Sequence, residues 1–243
     1  MDIYFAYDYP GEPFILFGKA HLFSIVIVGL VILWIIWFRN HSTPKSRARA
    51  RYILAAILLV NEIGWHAWHL AWGRWNIQEM LPLHMCSVMV WTSILMLYTR
   101  NGKLQEFAYF LGIGGATQAL LTPDAGIYGF PHFRFFQTMI AHGGIVIAAL
   151  YMTLVEGFRP TLKSVKNVII WTNVYMVIVF IINQLIGSNY MFIAHKPETA
   201  SLIDLLGPWP WYILAMEAIG LVLVFILYLP YAYKDWATQR IQT

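Results

Sequence analysis

YILAAILLVNEIGWHAWHLAW, residues 52–72, runs for 21 residues with one charged side chain, Glu62. A helix needs roughly 20 mostly apolar residues to cross a bilayer. The stretch has no period-2 alternation, so it does not read as a strand of a membrane barrel. It reads as a membrane-spanning helix. Six further stretches have the same character, at 21–38, 82–98, 104–122, 135–155, 168–187 and 211–231. The short connections between them carry Pro, Gly, Asn and charges, which break helices.

Composition agrees. Of 243 residues, 59% are hydrophobic and 12% charged, against about 45–50% and about 25% in soluble proteins. A soluble domain of this length could not keep so much apolar surface from water. The low charge and 16% aromatic content exclude disorder. A single cysteine, Cys86, excludes a disulfide scaffold. The expected fold is all-α: one seven-helix polytopic membrane domain over residues 1–243. The first eighteen residues carry acids and no Lys or Arg, the reverse of a secretory signal. Their Tyr and Phe side chains suit the headgroup interface, so residues 1–19 are expected to lie there.

Lys and Arg set the orientation. Twelve of the 16 fall in alternate connections, around 39–51, 100–103, 159–166 and 234–240. The opposite connections hold Lys19, Arg74, Arg134 and Lys196. By the positive-inside rule the N-terminus is outside and the C-terminus cytoplasmic. The net charge of +4 therefore reads as topology. No basic face or motif points to nucleic acid.

Polar groups inside a membrane are costly and often mark function. Here they gather toward the outer half: Asn61, Glu62, His66 and His69; His84 and Cys86; Gln118 and Asp124; Arg134, Gln137, Thr138 and His142; Asn183 and Glu217. At 1.5 Å per residue, Cys86 lies roughly 6 Å below Pro82 and His142 roughly 12 Å below Arg134. Both depths suit one pocket opening to the outer leaflet. A cysteine nucleophile needs a base or a positive dipole. With Pro82 as the first helical residue, the dipole helps Cys86 only modestly. His84 would sit about 200° away on the same helix, so His142 is the better base. Asp124 or Asn183 could orient its ring. A lone membrane cysteine is also a common apolar filler, and that reading stays open.

Glu62, His66 and His69 share one helix face. They could form half a zinc site, completed by His84 or His142. A polar network crossing the bundle core is the favoured reading, since neither HExxH nor the Cys/His spacing of a structural zinc site is present. The tryptophans near both ends of residues 65–75 and 209–211 fit interfacial belts. Gly143-Gly144 fits close helix approach.

Pro82-Leu83-His84-Met85-Cys86, Thr122-Pro123-Asp124, and Phe136-Gln137 with His142-Gly143 resemble the signature of YwaF-type bacterial integral membrane proteins. The resemblance covers nearly the whole chain. That family includes an animal membrane acyltransferase that moves polyunsaturated acyl chains between phospholipids. The animal enzyme is in turn distantly similar to androgen-induced membrane hydrolases. The resemblance implies Cys86 as acyl acceptor and His142 as base, with no cofactor and with membrane phospholipid or lysophospholipid as partner.

Three functions are thus in view for a multi-pass protein of the cell membrane. The first is a lipid acyltransferase or acyl hydrolase using Cys86 and His142, with Asn183, Gln137 or Arg134 stabilising the oxyanion. The second is a zinc-dependent hydrolase, resembling seven-span alkaline ceramidase-like enzymes, built on Glu62, His66 and His69 with His84 or His142. The third is a non-enzymatic protein that binds or carries a small solute.

Overall fold

The structure, a computed structural model, describes residues 2–197 and 202–242. Among them every regular element is helical. In chain order they are α1 (Asp2–Phe5), α2 (Lys19–His41), α3 (Pro44–Ala71), α4 (Met85–Thr99) and α5 (Gly102–Phe107). A π turn (Ala108–Gly112) carries α5 into α6 (Ile113–Leu121); then come α7 (Phe133–Leu154), α8 (Leu162–Ile186) and α9 (Trp211–Gln242). Short 3-10 turns lie at Tyr190–Phe192 and Leu202–Leu206. The chain divides into two compact units, Met1–Trp75 with Met89–Phe158, and Asn76–Val88 with Arg159–Thr243.

In the first unit α7 is the interior helix, flanked by α2, α3 and α6. Thirteen of its residues are buried, many of them Ala, Gly or β-branched. Lipid is as apolar as leucine, so membrane helices associate through close packing of small residues. Gly143 and Gly144 show this directly. A Cβ on Gly144 would lie 2.6 Å from Leu58 Cδ2 on α3, and one on Gly143 would lie 2.8 Å from Val28 Cγ2 on α2.

Polar ties fix the two ends of this unit. At one end buried His21 meets the Leu120 carbonyl at 2.7 Å and accepts the Phe17 N–H at 3.0 Å. That joins the start of α2 to the end of α6. At the other end Arg51 donates to the Leu97 carbonyl at 3.0 Å. Glu156 lies 3.1 Å from Arg100 and 3.7 Å from Arg51. A capping box of Thr43 and Ser46, with Pro44 following, starts α3.

The N-terminal segment is tied to the first unit through its backbone. The Phe5 carbonyl accepts from both the Trp68 and Trp72 indoles. The Ala6 carbonyl bonds His132 and the Tyr7 carbonyl accepts from the Tyr128 hydroxyl. Ala6 and Tyr9 are buried, whereas Tyr4, Phe5 and Phe17 remain exposed. The backbone of residues 5–7 thus supplies acceptors to two indoles, an imidazole and a phenol, of which Trp68 and His132 are buried and need such partners.

The second unit holds α8, α9 and the segment before α4. One of its core clusters is Val179, Tyr190 and Ile193. The Tyr190 hydroxyl donates to the Ile77 carbonyl at 2.7 Å and accepts the Leu81 N–H at 2.8 Å. The Tyr175 hydroxyl donates to the Leu83 carbonyl at 2.9 Å. These bonds hold residues 77–83 in an irregular path. Helix α4 therefore starts at Met85, three residues beyond the expected start at 82. Helix α8 opens on a capping box of Thr161 and Ser164 and ends at Gly187, whose φ of +66° closes the helix.

Among the described residues five helices are long and apolar enough to cross a membrane: α2, α3, α7, α8 and Trp211–Ala237 of α9. The other two expected spans are the 15-residue α4 and the run from α5 through the π turn to α6. Large apolar side chains such as Phe23, Leu33, Trp171, Val177, Val222 and Leu229 face outward, as lipid-facing surfaces do.

Candidate functional site

In the first unit α3 carries the Glu62–His66 pair, and Asn61 of α3 joins Gln137 and Arg134 of α7. Glu62 is buried, and its carboxylate lies 3.5 Å from His66 Nε2 one turn on. His66 Nδ1 accepts from the Trp75 indole at 3.1 Å, so its proton sits on Nε2, facing the carboxylate. Trp91 of α4 is the next polar neighbour of Glu62, and its buried indole N–H makes no close hydrogen bond. Asn61 donates to the Gln137 carbonyl at 3.2 Å. Arg134 donates to Gln137 Oε1 and lies 3.8 Å above the Trp65 ring, a cation–π contact. Asp124 is a more distant electrostatic neighbour of Arg134.

His142 sits two turns below Arg134 on α7. Its Nδ1 meets the Thr138 carbonyl at 2.8 Å. A carbonyl only accepts, so Nδ1 carries the proton and Nε2 presents a lone pair. The ring is thus oriented by its own helix and not by Asp124 or Asn183. Nε2 has no hydrogen-bond partner among the described residues.

His69 turns elsewhere. Its Nδ1 meets the Trp65 carbonyl at 3.0 Å and its ring stands edge-on to Trp65 and Trp68. Zinc sites use three or four protein ligands. Among the described residues no three metal-ligating side chains converge, so Glu62 and His66 are a pair without a third ligand.

The second unit holds Cys86, His84 and Asn183. Cys86 lies in the first turn of α4 and is half-buried. Starting α4 at Met85 puts Cys86 at its second position, closer to the positive helix end than a start at Pro82 would. His84 precedes the helix, and its carbonyl takes the Val88 N–H at 3.0 Å. Its Nδ1 accepts the Met191 N–H at 3.2 Å, and its ring lies against Tyr190 and Phe192. Asn183 is buried and builds the turn after α8. Its Oδ1 accepts from Ser188 at 2.7 Å and from the Tyr190 N–H at 2.9 Å, and its amide donates to the Tyr190 carbonyl at 2.9 Å.

Two residues beside these groups escaped the sequence reading, Trp91 and Tyr190. Trp91 lies in an apolar run with nothing to single it out. Tyr190 follows the polar pair Ser188-Asn189, and a buried tyrosine hydroxyl always needs partners.

All-helical architecture, outward apolar faces and a polar interior face define a multi-pass integral membrane protein. The chain belongs to the TMEM164 family, whose model matches residues 16–228. Comparison with curated proteins finds no match, and comparison with solved structures finds none either.

Proposed function

We propose that this protein is a cell-membrane enzyme that transfers or hydrolyses lipid acyl groups, with Cys86 as acyl acceptor and His142 as base. The observation that carries the reading is the fixed tautomer of His142, whose Nε2 lone pair is held ready for a proton inside the bundle. Membership of the TMEM164 family supports its placement in a membrane. The likeness of Pro82–Cys86, Thr122–Asp124 and His142-Gly143 to the YwaF-type signature supports the roles given to Cys86 and His142.

In the first half-reaction His142 Nε2 takes the Cys86 thiol proton. The thiolate attacks the ester carbonyl, the C–S bond forms, and the ester C–O bond breaks. The leaving alkoxide recovers the proton from the imidazolium, giving a lysolipid and a thioester. In the second half-reaction Nε2 deprotonates a lysolipid hydroxyl or water, which attacks the thioester and frees the thiol. Arg134 and Gln137 are the donors assigned to the oxyanion. Purified protein incubated with acyl-labelled phospholipid should carry hydroxylamine-sensitive label on Cys86. His142→Gln should slow labelling by about 10²–10⁴-fold. Full lipid turnover by Cys86→Ser would overturn the proposal.

The topology belongs to the same reading: seven crossings, N-terminus outside, C-terminus cytoplasmic. The distribution of Lys and Arg supports it. So does the ion pair of Arg100 with Glu156, which sets the α4–α5 connection at the same end of the first unit as the start of α3 and the end of α7.

A further inference from the structure

A groove of about 780 Å³ runs between α2, α3 and α7 in the first unit. It is lined by Phe23, Ile27, Ile57, Phe136 and Ile140 among other apolar groups, with Lys19 at one end and Ile147 toward the other. Ser24, also in the wall, turns its hydroxyl back to the Ala20 carbonyl at 3.0 Å, leaving the surface apolar. The groove occupies a different face of α7 from Arg134, Gln137 and Thr138, so it is separate from the polar cluster.

Two dimensions point to its occupant. Along α2 it extends from Lys19 to Val31. Those twelve steps cover about 18 Å, close to the ~15 Å hydrocarbon depth of one leaflet. The volume lies within the ~300–1,000 Å³ of small-molecule sites.

The mouth is positive. Lys19 is the first residue of α2, is exposed, and takes part in none of the ion pairs among the described residues. The first turn of α2 contains no acid, and Gly18 before it supplies no side-chain cap. The open N–H groups and dipole of that turn add to the lysine charge. An apolar channel one leaflet deep, ending in a free cation and an uncapped helix start, matches the chain and phosphate of a lipid.

We propose that this groove holds one acyl chain of an anionic phospholipid, with the lipid's acidic headgroup against Lys19 and the start of α2. The lipid is retained there independently of the acyl chemistry assigned to Cys86 and His142.

The test uses the full chain in detergent, offered equal amounts of phosphatidylglycerol and phosphatidylcholine with identical acyl chains. Retained lipid is read by native mass spectrometry. The wild type should keep one phosphatidylglycerol in about five-fold preference, the value of one lysine at a membrane surface. Lys19→Gln, a change on an exposed side chain, should bring the two lipids to parity. Ile27→Trp and Ile140→Trp, which fill the groove from opposite walls, should each release both lipids while helical circular dichroism is kept. Equal retention by the wild type overturns the proposal. So does a preference that survives Lys19→Gln, or retention undiminished in both tryptophan variants, which would mean surrounding lipid only.

Discussion

Glu156 stands between two arginines, and the three side chains differ in what they risk. Arg100 is largely exposed, whereas Arg51 and Glu156 are 7% and 10% exposed at their side chains. Removing one partner of a buried pair leaves a charge that neither water nor protein compensates. Glu156→Gln should therefore lower stability by about 3 kcal/mol, read from thermal unfolding in detergent. Adding Arg51→Met should recover part of that loss, because it removes the stranded charge. His132 carries a different kind of sensitivity. Its Nδ1 accepts the Arg134 N–H at 3.1 Å and caps α7, while Nε2 donates to the Ala6 carbonyl at 2.9 Å. Burial, reinforced by the Arg134 charge and opposed by the Ala6 bond, holds its pKa below the ordinary 6.5. The unfolded chain thus binds this proton more readily than the folded one. Stability from His132 is complete above about pH 6.5 and declines as pH falls below it. His132→Asn keeps a cap that does not titrate. Unfolding followed from pH 7.5 to 5 should lose its steepest part in that variant. An unchanged slope would remove His132 as the source.

At the scale of elements, the two halves of the Gly143-Gly144 pair show how α7 is seated. A Cβ on Gly144 meets the end of Leu58, a side chain only 1% exposed with little room to turn. Gly144→Leu should cost about 1–3 kcal/mol by forcing α3 from α7. Gly220→Ala makes the control: its Cβ meets nothing within 4 Å, so it should be neutral or gain up to about 1 kcal/mol in helix preference. Equal melting temperatures for both variants would refute this account of the contact. The helices themselves were legible because apolar length is a local property of sequence. All seven expected stretches contain helix, and five have membrane-crossing length. The start of α4 was not legible. It depends on the Tyr190 hydroxyl bonding Leu81, 109 residues away in sequence. Local pattern also exposed Cys86, His142 and the Glu62–His66 spacing. It could not show which acceptor holds the His142 ring, nor that Asn183 spends its amide on the turn at Tyr190.

For the whole molecule, the proposed seven crossings can be tested at one connection. If only the five long helices crossed, residues 72–132 would all stay outside, and every other connection would keep its side. Seven crossings instead bring Arg100 and Lys103 into the cytoplasm, while Gln78 and Asp124 remain outside. The 15 residues of α4 extend about 22 Å, and the 20 residues from Gly102 to Leu121 about 30 Å. The shorter helix can be matched by thinning the bilayer at modest cost. Charge argues the same way, since seven crossings move two more basic residues inside. Within the first unit, Arg100 is paired with Glu156 beyond the end of α7, and Arg51 reaches the Leu97 carbonyl from the start of α3. A loop left on the outer side could make neither bond if α3 and α7 cross. Single cysteines placed at Lys103, Gln78 and Lys163 in a Cys86→Ala background should separate the alternatives, using a membrane-impermeant maleimide on intact cells. Gln78→Cys should label from outside, while Lys103→Cys and Lys163→Cys should label only after permeabilisation. External labelling at Lys103→Cys would overturn the proposed seven crossings in favour of five, and would require the Arg100–Glu156 pair to be broken in the membrane.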